Sequence, residues 1–315
     1  MKSIIKVSEL KKSYKSQEVL KGVSFDVKEG GIFALLGSNG AGKTTTINIL
    51  ATLAKSNGGQ ASICGYDCFT QQEQVKKVIS LTGQYATVDG LLTGRENLIL
   101  MGRLKGVKNP TQKAEELLEK FSLTESGGKL SSTYSGGMRR RLDIAMSLIG
   151  DPKVIFLDEP TTGLDPQNRL AMWDLVREMA AAGITIFLTT QYLEEAEALA
   201  DDIAVLNEGK IVAQGTPTEL KELLPTGMIT LAFASEELMQ RAALELDAYR
   251  LVNVDAKKQC LSVLTDGLVD ELTDVLTHLR NADIQVQSVT QETPTLEDAF
   301  FAIIGHEKNN DKVGN

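Results

Sequence analysis

The stretch Gly37-Ser38-Asn39-Gly40-Ala41-Gly42-Lys43-Thr44, followed by Thr45, decides the fold of this chain. It fits the pattern G-x-x-x-x-G-K-[ST] in full. The apolar residues 32–36 before it have the length of a buried strand, and residues 44–53 after it have helical periodicity. Glycines let the backbone curl so that successive N–H groups converge on an anion, and the helix N-terminus adds partial positive charge. The stretch therefore predicts a nucleotide phosphate site between a strand and a helix.

Two side chains of this stretch carry its chemistry. Lys43 is placed to reach the terminal phosphates, and the hydroxyl of Thr44 can ligate Mg²⁺. The alternative is a glycine-rich turn with a chance lysine, but the glycines, the Lys-Thr pair and both flanks fit the phosphate-binding pattern. The predicted nucleotide contacts are Gly37, Ser38, Asn39, Gly40, Ala41, Gly42, Lys43, Thr44 and Thr45.

A second apolar run ends in two acids. Residues 154–157 have the character of a buried strand, and Asp158-Glu159-Pro160 follows them directly. A phosphate-loop enzyme needs a carboxylate at the end of such a strand to hold Mg²⁺, which is the role predicted for Asp158. Glu159 is the candidate to orient or deprotonate an attacking water. The alternative is that the two acids only cap a strand.

Composition narrows the class of protein. The chain has 315 residues, of which 42% are hydrophobic, and this suits a large domain with a smaller one, or two domains. Its net charge of −9 argues against a nucleic-acid partner. Cys64 and Cys68 have no matching cluster of metal ligands, so packing is favoured over a zinc site. The N-terminus lacks a signal-peptide core and no long uncharged apolar run occurs, so we expect a soluble intracellular protein.

The order of predicted elements indicates an α/β fold. Residues 1–224 predict the three-layer core of a P-loop ATPase, and residues 85–150 break its strand–helix alternation as an inserted helical subdomain. Residues 225–305 predict a small α+β domain whose role stays open between dimerisation, regulation and docking. Residues 306–315 are expected to form a flexible tail.

Finer predictions concern the two ends of the chain. Residues 4–30 are expected to form short strands joined by turns. In the small domain, residues 284–289 predict a strand and residues 295–304 a final amphipathic helix.

A Ser-Gly-Gly turn at Ser135–Gly137 opens a further predicted helix. Such a turn at a helix N-terminus is a second anion-binding arrangement, although most turns of this kind are structural. Arg139, Arg140 and Arg141 follow it. They are either a solvated helix face or a source of positive potential near a phosphate.

These motifs, in this order, resemble the ATP-binding subunits of ABC transporters over about residues 4–220. The shared segments are the phosphate loop, Gln84 after a strand, Tyr134-Ser135-Gly136-Gly137-Met138, Asp158-Glu159-Pro160 and Gly163-Leu164-Asp165. Finer features are similar to the daunorubicin-resistance branch of drug exporters. They are Gly83-Gln84-Tyr85, the segments 92–97, 133–143 and 189–196, and the closing segment 295–300.

The resemblance implies an ATP- and Mg²⁺-dependent enzyme that works as a head-to-tail homodimer. Each ATP would lie between residues 37–45 of one copy and Ser135, Gly136 and Gly137 of the other, with Tyr14 stacked on adenine. The resemblance also implies roles for further residues: Lys43, Gln84, Glu159 and Gln191 in catalysis, Thr44, Gln84 and Asp158 at the metal, and Asp165 across the dimer interface.

The implied partner is a separate transmembrane permease, which would hold the protein at the cytoplasmic face of the cell membrane. The implied function is to energise efflux of a drug-like or other amphipathic substrate. The alternatives are an importer ATPase and a soluble, non-transport ABC ATPase. Export is favoured by the signature segment 134–138, by Gln191 and by the closing segment 295–300. The soluble class is disfavoured by the acidic net charge and by the presence of a single cassette.

Three positions depart from the general ABC pattern. Tyr134 replaces Leu and Met138 replaces Gln in the signature, and Gln191 stands where most relatives place a His that contacts the γ-phosphate. The two histidines of the chain, His278 and His306, lie outside every phosphate-site motif. A neutral amide cannot supply the charge of a protonated imidazole, so we expect slow turnover without a histidine titration near neutral pH.

Overall fold

The computed structural model describes residues 2–83, 87–222, 227–246, 249–255, 258–265, 269–292, 295–297 and 300. The chain divides into two compact units, Met1–Pro217 and Thr218–Asn315. Gln84, Tyr85, the predicted tail and most of the predicted final helix lie outside the described residues. Within the described ranges, the helices are all too short or too polar to span a bilayer.

The first unit alternates strands and helices. Its strands are β1 (Ser3–Tyr14), β2 (Gln17–Lys28), β3 (Ile32–Leu36), β4 (Gly58–Ile63), β5 (Tyr66–Asp67), β6 (Ile79–Thr82), β7 (Val154–Asp158), β8 (Thr185–Thr190), β9 (Asp202–Asn207) and β10 (Lys210–Gly215). Its helices are α1 (Lys43–Leu50), α2 (Gln72–Val78), α3 (Gly94–Leu104), α4 (Pro110–Lys120), α5 (Gly136–Ser147), α6 (Pro166–Ala181) and α7 (Leu193–Leu199). The short helix α8 (Pro217–Lys221) crosses the boundary between the units.

The larger sheet of the first unit has the strand order β10-β9-β3-β8-β7-β6. From β9 to β6 the neighbouring strands are parallel, and β10 pairs antiparallel with β9. Carboxyl ends of parallel strands meet at one edge of a sheet, where ligands of such folds bind. Here Leu36 pairs with Thr190, and Asp158 pairs with Thr189. The sheet order therefore brings the ends of β3, β8 and β7 side by side.

A second sheet, β2-β1-β4-β5, is antiparallel. The short strands predicted for residues 4–30 were wrong, because β1 and β2 form one long hairpin of 12 residues a strand, interrupted only by register shifts. The core joins this sheet to α1 and the parallel sheet, and its rings Phe25, Phe33 and Phe187 lie 5.1–5.8 Å apart.

Helices α6 and α7 pack against β8 and β3, and they bury Trp173 and Val176 outside the core shared by the two sheets. This arrangement confirms the predicted three-layer α/β fold. Between residues 87 and 150 the described chain is mostly helical. Helix α3 begins with a capping box in which Thr93 and Glu96 bond to each other's backbone N–H.

The second unit has the order β11 (Gly227–Ala232), α9 (Glu236–Glu245), β12 (Arg250–Asp255), β13 (Cys260–Thr265), α10 (Val269–Asn281) and β14 (Ser288–Glu292). Its antiparallel sheet has the strand order β12-β13-β11-β14, the βαββαβ topology of ferredoxin-like domains. The strand predicted at 284–289 lies later in the chain than expected. Ile284 is buried in the core of the unit, but as part of the loop after α10.

Candidate nucleotide-binding and hydrolysis site

The phosphate loop occupies the turn between β3 and α1. Gly40 and Gly42 have φ values of 83° and 112°, in the left-handed region that favours glycine. A Cβ on Gly37 would lie 2.3 Å from the carbonyl oxygen of Leu206, and one on Gly42 would lie 2.6 Å from a methyl of Leu20. The first turn of α1 carries no acidic residue, so its unbonded N–H groups retain the positive end of the helix dipole. The loop therefore has the conformation and the donors of an anion site.

Lys43 lies inside the curl of this loop. Its side chain is buried, and Nζ donates to the carbonyl oxygens of Gly37 and Ser38 at 2.8 and 3.2 Å. Nζ also lies 3.3 Å from Oε1 of Glu159. The cation thus lies in the loop that is predicted to hold the phosphates, and it contacts the candidate catalytic carboxylate.

Thr44 and Asp158 form the candidate metal site. Oγ1 of Thr44 donates to Oδ1 of Asp158 at 3.3 Å, and Oγ1 of Thr189 donates to the same oxygen at 2.5 Å. Mg²⁺ in nucleotide enzymes is held by one or two protein oxygens, the phosphates and retained waters. The hydroxyl and carboxylate oxygens here fit that ion. Gln84, the third predicted ligand, lies outside the described residues.

Glu159 follows β7 in an unusual backbone conformation. Its φ is 47°, a value that costs energy for a residue other than glycine and that clusters at functional sites. Its N–H donates to the carbonyl oxygen and to Oγ1 of Thr189, both at 3.1 Å. Oε2 accepts from Oγ1 of Thr162 at 3.2 Å, while Oε1 faces Lys43. The neighbouring strand β8 therefore holds the backbone of Glu159 in place.

Gln191 follows β8 directly and is half-buried. The residue before it, Thr190, accepts a hydrogen bond from the N–H of Gly37 at 3.2 Å. The backbone of Gln191 therefore lies next to the first glycine of the phosphate loop. His278 belongs to the second unit, where its Nε2 lies 3.3 Å from Oε2 of Glu245.

The Ser-Gly-Gly turn caps helix α5. Oγ of Ser135 accepts from the N–H of Met138 at 3.2 Å, and both Ser135 and Gly136 are exposed. Gly137 is buried and packs closely against Asn168 of α6. A Cβ at this position would lie 2.3 Å from Oδ1 of Asn168, so there is no room for a side chain. Asn168 also donates its backbone N–H to Asp165 at 2.9 Å. Among the described residues, no hydrogen bond or ion pair joins this turn to the phosphate loop of its own chain.

Tyr14 ends β1 and is 48% exposed. Nζ of Lys12 lies 4.7 Å from the centre of its ring, and the same Nζ donates to the carbonyl oxygen of Lys55 at 2.6 Å. The following strand β2 carries Leu20, which contacts Gly42. The hairpin that bears Tyr14 is therefore packed against the phosphate loop.

Sequence reasoning missed three residues of this region. Thr189 binds Asp158, and its only signal was a polar residue at the end of an apolar strand. Glu195 is wholly buried and accepts from Nε1 of Trp173 at 3.2 Å, and burial raises its pKa. Arg140 is also buried, so the alternative of a solvated helix face is wrong for this arginine. The run of three arginines did not indicate which of them points inward.

Comparison with known proteins shows the family of this chain. Residues 20–162 match the model of the ABC transporter family. The chain is 42% identical over 306 residues to the daunorubicin/doxorubicin resistance ATP-binding protein DrrA of Streptomyces peucetius, covering 96% of this chain and 92% of that protein. The chain belongs to the ABC transporter family. The match necessarily includes most of the second unit, since it covers nearly the whole chain.

Two further known proteins match about two thirds of the chain. The Nod factor export ATP-binding protein I of Ralstonia nicotianae is 42% identical over 219 residues, or 69% of this chain and 68% of that protein. A dimeric, post-hydrolysis structure of the ATP-binding cassette MJ0796 with ADP and Pi is 25% identical, with a TM-score of 0.61, and covers 67% of this chain and 98% of that one. The α/β core described above is therefore the fold of an ABC ATPase.

Proposed function

We propose that this ABC-type ATPase energises an exporter, and that Lys43, Thr44, Asp158 and Glu159 bind and hydrolyse its ATP. The observation that carries the proposal is the direct contact between these residues at the carboxyl edge of the parallel sheet. The export assignment is supported by similarity to a drug-resistance protein along nearly the full chain and to a Nod factor export protein over 69% of it. The substrate class is a drug-like or other amphipathic molecule.

The residues divide the reaction between them. The N–H groups of residues 37–45 and the ammonium of Lys43 hold the phosphates, so negative charge developing during hydrolysis is met by fixed donors. Glu159 accepts a proton from the attacking water or orients it. Thr44 and Asp158 hold Mg²⁺, which neutralises phosphate charge when it is bound. Thr189 fixes both Asp158 and the backbone of Glu159.

Two copies of the chain complete two sites in a head-to-tail homodimer. Ser135 and Gly136 are exposed at the N-terminus of α5, whose first turn carries no acid, and these donors suit the phosphates of an ATP held by the other copy. Asp165 lies beside this turn through Asn168, which supports its role across the interface. ATP binding closes the dimer and hydrolysis reopens it, because ATP has a higher affinity for the closed state.

A groove in the first unit supports docking of a separate permease. It has a volume of about 360 Å³ and lies among the segment after α1, the helices α2, α3 and α5, and strand β6. Its lining includes the apolar side chains of Leu53, Met101 and Met146, and the cations of Lys76 and Lys105. Leu53 is 67% exposed, which is unusual for a large apolar side chain and typical of a contact surface. The permease would hold this subunit at the cytoplasmic face of the membrane.

Drug resistance in cells that lack this gene tests the export assignment. The deletion strain is complemented with the wild-type chain or with Glu159→Gln, and growth is measured in daunorubicin and in an unrelated, hydrophilic antibiotic. We expect only the wild-type chain to restore growth, and only in the amphipathic drug. Equal sensitivity of all strains, together with normal ATP hydrolysis by the purified wild-type protein, would contradict the substrate class and leave the ATPase assignment standing.

A further inference from the structure

Arg140 is a buried cation outside the reacting residues, and it joins two parts of the proposed machinery. It lies on α5, five residues after Ser135 and about 7.5 Å along the helix at 1.5 Å per residue. Its side chain is 7% exposed. A buried charge is costly unless it is paired and hydrogen-bonded, so this position needs specific partners.

The partners of Arg140 flank Glu159. Nε donates to the carbonyl oxygen of Pro160 at 3.1 Å, and Nη2 donates to that of Asp158 at 3.4 Å. Nη1 donates to the carbonyl oxygen of Gly83, after β6, at 2.7 Å. A planar guanidinium with a fixed set of donors can reach three carbonyls in different directions, which an ammonium cannot do in the same geometry.

Asp143 anchors the guanidinium from the next turn of α5. Its Oδ2 accepts from Nη1 of Arg140 at 3.3 Å. Its Oδ1 accepts from both the N–H and the hydroxyl of Thr87, at 3.0 and 2.8 Å. The pair therefore connects α5 to the segments after β6 and after β7 through buried bonds.

We propose that Arg140 is a positioning residue that couples the two ATP sites of the homodimer. This inference rests on the head-to-tail arrangement of the proposed function. In that arrangement, Ser135, Gly136 and Gly137 contact the ATP of the partner copy, whereas Glu159 acts on the ATP of its own copy. A displacement of the α5 N-terminus by the partner's nucleotide is carried along the rigid helix to the guanidinium. The guanidinium then shifts the carbonyls on both sides of Glu159.

The backbone at Glu159 is suited to receive such a signal. With φ at 47°, it is held in a sparsely populated conformation by Thr189 on one side and by the bonds of Arg140 to its neighbours on the other. Loss of the guanidinium leaves the carboxylate of Glu159 in place but removes its connection to the Ser-Gly-Gly turn at the start of α5. The predicted consequence is hydrolysis that no longer depends on occupancy of the other site.

The test is the ATP dependence of hydrolysis by the purified full-length protein. We expect a Hill coefficient of about 2 for the wild type, the limit for two coupled sites, and about 1 for Arg140→Lys. The matched control is Arg141→Lys, on the same helix, whose Nη1 donates to the carbonyl of Phe121 away from the site. It should keep the wild-type coefficient. A merely structural role of Arg140 predicts a lower rate at every ATP concentration with an unchanged coefficient, and that result would overturn the proposal.

Two further measurements keep the outcomes separate. ATP-driven dimerisation in the Glu159→Gln background should be the same with and without Arg140→Lys. If Glu159→Gln alone forms no dimer with ATP, the proposed function fails, and the coupling fails with it. If Arg140→Lys does not fold, as judged by its thermal transition, the Hill coefficient is measured on Asp143→Asn instead. A Hill coefficient below the wild-type value supports the coupling in that variant, and an unchanged one contradicts it.

Discussion

Nζ of Lys43 lies 3.3 Å from Oε1 of Glu159, so the cation of the phosphate loop and the carboxylate after β7 form a buried ion pair. The two charges compensate each other in a site where either alone would be costly. A γ-phosphate placed in the loop competes with Glu159 for the same ammonium. In the proposed mechanism we therefore expect ATP binding to release the carboxylate from Lys43, so that it acts on water when a phosphate is present.

Replacement of Lys43 tests the phosphate-loop assignment. We expect Lys43→Ala to lower ATP turnover by about 10²–10³-fold, because it removes a preorganised charge from the phosphates. Lys77→Ala, at an exposed lysine of α2, is the control and should behave like the wild type. The measurement is phosphate release with saturating ATP. Unchanged turnover of Lys43→Ala would refute the loop as the nucleotide site.

Tyr14 is predicted to stack on adenine. Removal of the ring in Tyr14→Ala should raise KM for ATP by about 5–150-fold with little change in kcat, since base–aromatic stacking is worth about 1–3 kcal/mol. Tyr14→Phe keeps the ring and should keep the wild-type KM. If Tyr14→Ala has an unaltered KM for both ATP and GTP, the ring does not contact the base.

Gln191 predicts how turnover depends on pH. A neutral amide donates a hydrogen bond to the γ-phosphate or the water but does not titrate, so the pH–rate profile should show no essential group near the ordinary histidine pKa of about 6.5. Gln191→His should introduce such a group. A wild-type profile that already contains it would count against the role of Gln191.

Glu195 predicts how stability depends on pH. Burial raises its pKa in the folded state above the unfolded value of about 4.3, so folding takes up a proton between the two values. The contribution of this residue is therefore present at acidic pH and is lost as the pH rises through the folded pKa. Glu195→Gln keeps an acceptor for Trp173 without ionising. Its melting temperature should exceed that of the wild type by a few degrees at pH 7, and the two should converge near pH 4. If the difference in melting temperature between the two proteins were the same at every pH, the raised pKa of Glu195 would be contradicted.

Much of the fold follows from local sequence. Strand β3 has the predicted bounds, and α1 begins one residue before the predicted start, because an apolar run, a glycine-rich loop and a helical period fix this unit locally. The meeting of Thr44 with Asp158 also follows from sequence, since Asp158 ends the parallel strand β7 and Thr44 lies in the helix that follows the loop after the parallel strand β3.

What the sequence could not predict depends on long-range contacts. Local pattern does not show that β1 and β2 form one long hairpin, because register shifts interrupt the alternation of buried residues. It does not distinguish Arg140 from its half-buried neighbours Arg139 and Arg141, since the burial of Arg140 depends on carbonyls that are distant in the chain. Ile284 was predicted to lie in a strand because it is apolar. It is apolar because it is buried in the core of the unit, and burial of this kind also occurs in loops.

The most direct test of the account is Glu159→Gln, studied for hydrolysis and assembly in one preparation. Glu119→Gln, at an exposed glutamate of α4, serves as the control. We predict that Glu159→Gln binds ATP, hydrolyses it about 10²–10⁴-fold more slowly than the wild type, and accumulates as a dimer by size-exclusion chromatography with light scattering. Hydrolysis at the wild-type rate would show that Glu159 is not the catalytic group and would contradict the account.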